Sequence, residues 1–189
     1  LSVNPQTMND ATLELIGRSH KSADIIAAFA MARDMGFDNI NMDVIAGLPG
    51  EHVADMEHTL NEIIKLAPEN LTVHTLALKR SSRLVTEGEK YPMPEAEEVE
   101  HMVHMGSEAA ARLGMRPYYM YRQKYMSGNL ENVGYAKPST ECVYNIDMME
   151  DTTAIMSHGA GAMTKCVYDA ARRVERVPAP KEISTYIAK

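Results

Sequence analysis

Tryptophan is absent from this chain of 189 residues, and phenylalanine and cysteine each occur only twice. Two cysteines, Cys142 and Cys166, cannot staple a disulfide framework. They also lack the paired spacing of a zinc or iron–sulfur site. They read as reduced thiols in a cytoplasmic protein. Basic side chains are in deficit, 19 Lys and Arg against 26 Asp and Glu, for a net charge of −7. That balance argues against a general nucleic-acid binder, which would show a basic face. No apolar run approaches the length of a membrane span, and the first residues do not read as a signal peptide. What is abundant is methionine, 15 residues mostly at apolar positions, where it fills core space. The chain opens on Leu1, inside what already reads as a strand, so a fragment of a longer protein is expected.

The first part repeats a strand-then-helix unit. Leu1 to Asn4 reads as a strand, followed by helices over Asn9 to Ile16 and Ser22 to Met35, the second stopped by Gly36. A strand over Asn39 to Ala46 leads into a helix whose stripe is Val53, Met56, Leu60, Ile63 and Ile64 and which Pro68 ends. Leu71 to Leu78 is the third strand. Such alternation predicts a parallel sheet covered by helices. After Leu78 a charged connection precedes a long helix, Pro94 to Leu113. Aromatic and β-branched segments then suggest antiparallel strands: "RPYYMYRQ", "TAIMSHGAGAMTKCVY" and "RRVERV". The expected division is 1–80 and 81–189, a partial α/β barrel with an appended α+β unit.

Strand parity locates a polar face. Ser2, Asn4 and Gln6 share one side of the first strand, and Asn41, Asp43 and Ile45 one side of the second. Leu71, Val73, Thr75 and Ala77 share one side of the third. The opposite sides of the first two are apolar enough to meet helices. The polar sides fit the interior of a partial barrel, where chemistry gathers at the C-terminal strand ends. Asp43, isolated among apolar neighbours, reads equally as a ligand-binding carboxylate or as an acceptor for backbone N–H groups. Gln6 could face the same groove or close the turn into the helix. Arg18, just after a helix end, could serve a ligand or simply that terminus. His101 and His104 share a helix face, but without a third ligand they read as a solvated surface and no metal is expected. Gly159 and Gly161 in "HGAGAM" lack a dinucleotide fingerprint and allow close backbone approach instead. Lys79, Arg80 and Arg83 could meet an anion or form a charged loop.

Three segments taken together are more specific: "VNPQTMNDATLELIGRSH", "ARDMGFDNINMDVIAGLPGE" and "LTVHTLALKRSS". In that order they resemble the second half of the radical S-adenosylmethionine barrel of oxygen-independent coproporphyrinogen III oxidases. "YMYRQKYMSGNLENVGYAKPSTECVYNIDMMED" and "SHGAGAMTK" resemble the C-terminal region of one branch of that family. The resemblance implies the C-terminal half of a partial (β/α) radical-SAM barrel over 1–80.

It also implies a chemistry. A reduced [4Fe–4S] cluster, fed by an electron donor, cleaves S-adenosylmethionine to a 5′-deoxyadenosyl radical. The radical takes hydrogen from a propionate of coproporphyrinogen III, and loss of carbon dioxide leaves a vinyl group. Carried over by position, Gln6, Arg18 and Asp43 match S-adenosylmethionine contacts. Ala77 matches a backbone contact near the adenosyl group, and Met163 an apolar neighbour of a second S-adenosylmethionine. The family's C-x3-C-x2-C motif and its glycine-rich methionyl-binding segment are absent. The cluster is therefore expected only in a full-length parent, with this chain inactive alone. Two other readings stay open: a haem-carrying relative from the same superfamily, and an unrelated phosphate-binding barrel, which would need a phosphate cradle. Self-association through an exposed first strand is a further expectation.

Overall fold

A computed structural model describes residues 1–78, 86, 90–121, 130–168 and 173–188. The chain divides into two compact units, Leu1–Glu141 and Cys142–Lys189. The division falls later than the 80/81 boundary read from the sequence, because segments beyond residue 81 complete the first unit's sheet.

That sheet is built from β1 (Ser2–Gln6), β2 (Asn41–Ala46), β3 (Asn70–Thr75), β4 (Arg116–Tyr121) and β5 (Asn132–Ala136). Its order is β1-β2-β3-β5-β4, with β1, β2 and β3 parallel and β5 antiparallel to both β3 and β4. β5, which hydrophobic alternation alone does not announce, is short and carries Gly134 at its centre. β1 is an edge strand, and Pro5, which has no N–H to give, sits where its register with β2 shifts.

Alternation along β2 decides which face is core. Met42, Val44 and Ala46 are fully buried, while Asn41, Asp43 and Ile45 are half-buried on the other side. Register carries this face onto β3, where Leu71 and Val73 lie beside Met42 and Val44. Against it lie α2 (Ser22–Asp34), α3 (Val53–Leu66) and α4 (Ala96–Arg112), burying Ile25 and Phe29, Leu60 and Ile63, and Val99 and Met102. α1 (Asp10–Leu15) adds Leu13. Removing such side chains from water is the main favourable term, about 1.5–3 kcal/mol for each large one. Gly106 brings α4 close to β3: a Cβ there would lie 2.7 Å from Val73 Cγ2. The helix starts are fixed by carboxylates. Asp24 accepts the Lys21 N–H at 2.8 Å and Asp55 the His52 N–H at 2.9 Å.

The loops that follow β1 and β2 are tied together by a buried polar cluster. Thr7 Oγ1 donates to Glu51 Oε1 at 2.5 Å, Asn9 Nδ2 donates to the same oxygen at 3.0 Å, and Thr59 Oγ1 lies 3.1 Å from Thr7 Oγ1. At the opposite, N-terminal end of the strands, Glu69 accepts from Arg33 at 2.7 Å and from the Ile40 N–H at 3.1 Å.

The second unit pairs β6 (Met163–Tyr168) with β7 (Arg173–Pro178), antiparallel, beside α5 (Val143–Met149) and α6 (Ile183–Ile187). Lys165 is its anchor. Its ammonium is buried and donates to the carbonyls of Asp147 at 2.6 Å and Glu150 at 3.1 Å, closing the C-terminus of α5. Gly159 and Gly161 both take positive φ in a turn before β6, where Gly159 N donates to Tyr186 Oη at 2.9 Å. Among the described residues no helix is long and apolar enough to cross a membrane.

Candidate functional site

The parallel strands β1, β2 and β3 end together, and a cavity of about 290 Å³ opens at those ends. Gln6, Ile45, His74, Thr75, Leu76 and Ala77 line it from the strands, joined by Tyr121 of β4 and Asn132 of β5. Gln6 reaches it through an unusual backbone. Its φ is +68°, a left-handed conformation that costs a non-glycine residue about 1 kcal/mol. The neighbouring Thr7, locked to Glu51, holds it there.

Asp43 lies one layer further toward the strand starts, on the same face as Ile45. Asn41 Nδ2 donates to Asp43 Oδ1 at 2.7 Å and to Ser2 Oγ at 2.9 Å. His74 Nε2 stands 3.8 Å from Asp43 Oδ2, at ion-pair range, and His74 Nδ1 is 3.2 Å from Tyr121 Oη. Burial works to raise the Asp43 carboxyl, but contacts from His74, Asn41 and Thr72 outweigh it and hold Asp43 below the ordinary aspartate value. The costly carboxylate is thus answered by side chains on the polar face rather than by backbone N–H groups.

Tyr121 lines the far side of the cavity, and the Tyr119 ring lies parallel to it within 5°, with centroids 6.3 Å apart. Tyr119 reaches across β5 only because Gly134 has no side chain, and its hydroxyl comes to 3.5 Å from Thr72 Oγ1. Burial foremost pushes its phenol up to about 12.

The sequence-derived residues divide. Gln6 and Ala77 line the cavity, and Asp43 sits beside it through His74. Arg18 is exposed beyond α1, its backbone N–H donating to Leu13 O at 2.8 Å, and it is not in the cavity lining. Met163 opens β6 in the second unit and is 47% exposed. Lys79, Arg80 and Arg83 lie outside the described residues. His101 and His104 border an acidic surface groove with Glu97, Glu98 and Glu100, and His104 pairs with Glu108 at 3.4 Å. Neither His74 nor Tyr121 stands out in the sequence as a site residue. Extending the β2 parity through the register to β3 would have turned Thr72 and His74 toward Asp43.

The lining tests the groups that the resemblance implies. Amides, an imidazole and a phenol beside Ile45, Leu76 and Ala77 fit a ligand of mixed polarity, as S-adenosylmethionine is. An iron–sulfur cluster does not fit. Among the described residues no three His, Cys, Asp or Glu could share a metal, and the free Cys142 and Cys166 are the chain's only cysteines.

Comparison with known proteins bears on the family and the fold. Residues 1–63 match the radical SAM superfamily. The oxygen-independent coproporphyrinogen-III oxidase-like protein HemZ of Bacillus subtilis is 42% identical over 98% of the chain, which spans 37% of that relative. The heme chaperone HemW of the same organism is 36% identical over 53% of the chain and 27% of its own length. Among solved structures, the Escherichia coli coproporphyrinogen III oxidase HemN, a radical SAM enzyme, superposes with a TM-score of 0.70 at 18% identity. That match covers 97% of this chain and 41% of the other, and it shows a shared fold. Residues 1–63 are therefore a radical SAM superfamily segment, and the chain over nearly all its length is similar to an oxygen-independent coproporphyrinogen-III oxidase-like protein.

Proposed function

We propose that the protein carrying this chain is a radical S-adenosylmethionine enzyme of porphyrin synthesis. Its reaction is oxidative decarboxylation of coproporphyrinogen III propionates to vinyl groups. The observation that carries the reading is the cavity at the ends of β1, β2 and β3, where Gln6 and Ala77 meet and Asp43 stands one layer below. The relatives' names support the pathway.

In this reading the chain's residues bind and orient. Gln6 offers an amide and Ala77 its backbone to the ligand. Asp43 supplies a fixed negative charge that favours a sulfonium cation, in a recess where water screens it less. By resemblance alone, Arg18 is a donor and Met163 an apolar neighbour of a second S-adenosylmethionine. When bound and reduced by a cluster, S-adenosylmethionine supplies the radical chemistry that starts loss of carbon dioxide. The cluster ligands and the electron donor belong elsewhere, so the chain alone is inactive. Its unpaired thiols suit a cytoplasmic setting.

A second reading, haem carriage, is favoured by the similarity to a heme chaperone. One paired experiment separates them: coproporphyrinogen III turnover and haem titration of the protein with whatever precedes Leu1 and follows Lys189. Decarboxylation that depends on S-adenosylmethionine and drops on Asp43→Asn supports the oxidase. Stoichiometric haem binding without turnover overturns it.

A further inference from the structure

Among the described residues His74 both lines the cavity and stands beside the half-buried carboxylate of Asp43. Its ring lies between two strands' worth of polar groups: Tyr121 Oη 3.2 Å from Nδ1, and Asp43 Oδ2 3.8 Å from Nε2. Asn41 holds the other oxygen of Asp43 at 2.7 Å, so that carboxylate has little freedom to turn. The ring itself is gripped edge-on by Tyr121, with centroids 6.3 Å apart and planes at 68°. A carboxylate beside Nε2 favours the proton on that nitrogen, which leaves Nδ1 to accept the Tyr121 hydroxyl. At 3.8 Å the Nε2 and Oδ2 atoms stop short of a direct hydrogen bond. The two thus stand side by side, a donor and an acceptor that one ligand group could engage together.

We propose that His74 is a positioning residue of this cavity, held by Tyr121 so that its Nε2–H and the Asp43 carboxylate are presented as a fixed donor–acceptor pair to the bound ligand. The proposal deepens the S-adenosylmethionine site described above and rests on it. It adds a residue from β3 and a support from β4, so a strand joined only through the antiparallel extension of the sheet takes part in the site.

The test has two arms, each on the protein with its natural flanking sequence. In the first, without ligand, nitrogen NMR of the His74 ring reads its tautomer. The expected result is a dominant Nε2–H form that becomes a mixture in Tyr121→Phe. A mixed tautomer in the parent, or no change in Tyr121→Phe, overturns the positioning. In the second, calorimetry measures S-adenosylmethionine binding to the parent, His74→Leu and His74→Gln. Leu should weaken binding about tenfold, the loss expected for a hydrogen bond to a charged group. Gln, whose amide N–H can stand near the place of Nε2, should recover most of it. Parent-like affinity of His74→Leu in a folded protein overturns the proposal while leaving the cavity reading intact. Failure of the parent itself to bind overturns the cavity reading and, with it, this proposal's ligand.

Discussion

Replacing Gly134 by alanine should dislodge Tyr119 from its place beside Tyr121 and Thr72. A Cβ at position 134 would lie 1.8 Å from Tyr119 Cε1, 2.4 Å from Cδ1 and 2.7 Å from Cζ. Carbon atoms in contact rest about 3.5–4.0 Å apart, so the ring must retreat by roughly 2 Å or leave its place. Leaving forfeits the stack on Tyr121, about 0.5–1.5 kcal/mol. Staying forces strain of about 1–3 kcal/mol, the usual cost of overpacking. Alanine returns about 0.5–1 kcal/mol by stiffening the unfolded chain. The balance is a destabilisation of about 1–2 kcal/mol, read from the urea midpoint. A second measurement separates displacement from general damage. Burial holds the Tyr119 phenol at about 12, so in Gly134→Ala one tyrosine should titrate near 10 by ultraviolet absorbance. An unchanged urea midpoint together with an unchanged phenol titration would refute the reasoning.

Asp43→Asn should lower stability at neutral pH by about 1 kcal/mol, because the contacts on the carboxylate favour its charged form. The sign follows from a folded value held below the unfolded one. Asp43's contribution is complete above about pH 4 and disappears as the pH falls through the folded value. The two proteins' urea midpoints should therefore converge in acid, and a gap that stays constant with pH would contradict the assignment. Glu69→Gln should behave similarly, costing about 1–2 kcal/mol at neutral pH by chemical denaturation. Burial tends to raise that carboxyl, but Arg33 and the Ile40 N–H hold it low. Glu51→Ala should cost about 2–3 kcal/mol, since it strips the partner from buried Thr7 and from Asn9. It should also release Gln6 from its left-handed backbone, seen as altered amide shifts for residues 5–8 in NMR.

Much of this molecule is legible along the chain because its signals are local. Helical spacing of Ile25 with Phe29, and of Met56 with Leu60 and Ile63, depends only on the 3.6-residue turn. Alternation through Asn41–Ala46 marks Asp43 as belonging to the polar face, whatever packs on the other side. The order of motifs that resembles the radical S-adenosylmethionine barrel is likewise read without coordinates. Gln6 and Ala77 come to one cavity because parallel strands end at one edge, which alternating strands and helices already imply.

Other features exist only once distant segments meet. β5 is five residues around a glycine, too weak a pattern to announce a strand, yet it pairs on both edges and moves the unit boundary past 140. Tyr119 reaches Thr72 because Gly134 is empty, a fact about two strands' register rather than either sequence. Arg18 and Asp43 look alike as candidates in the chain, but only Asp43 stands beside the cavity, through His74; Arg18 is exposed beyond α1 and outside the lining. By itself the sequence determined the periodicities, the polar face and the family. Only the tertiary structure decided that Asp43 answers to His74 and His74 to Tyr121, because these partners lie 31 and 47 residues apart and only strand pairing brings them within reach.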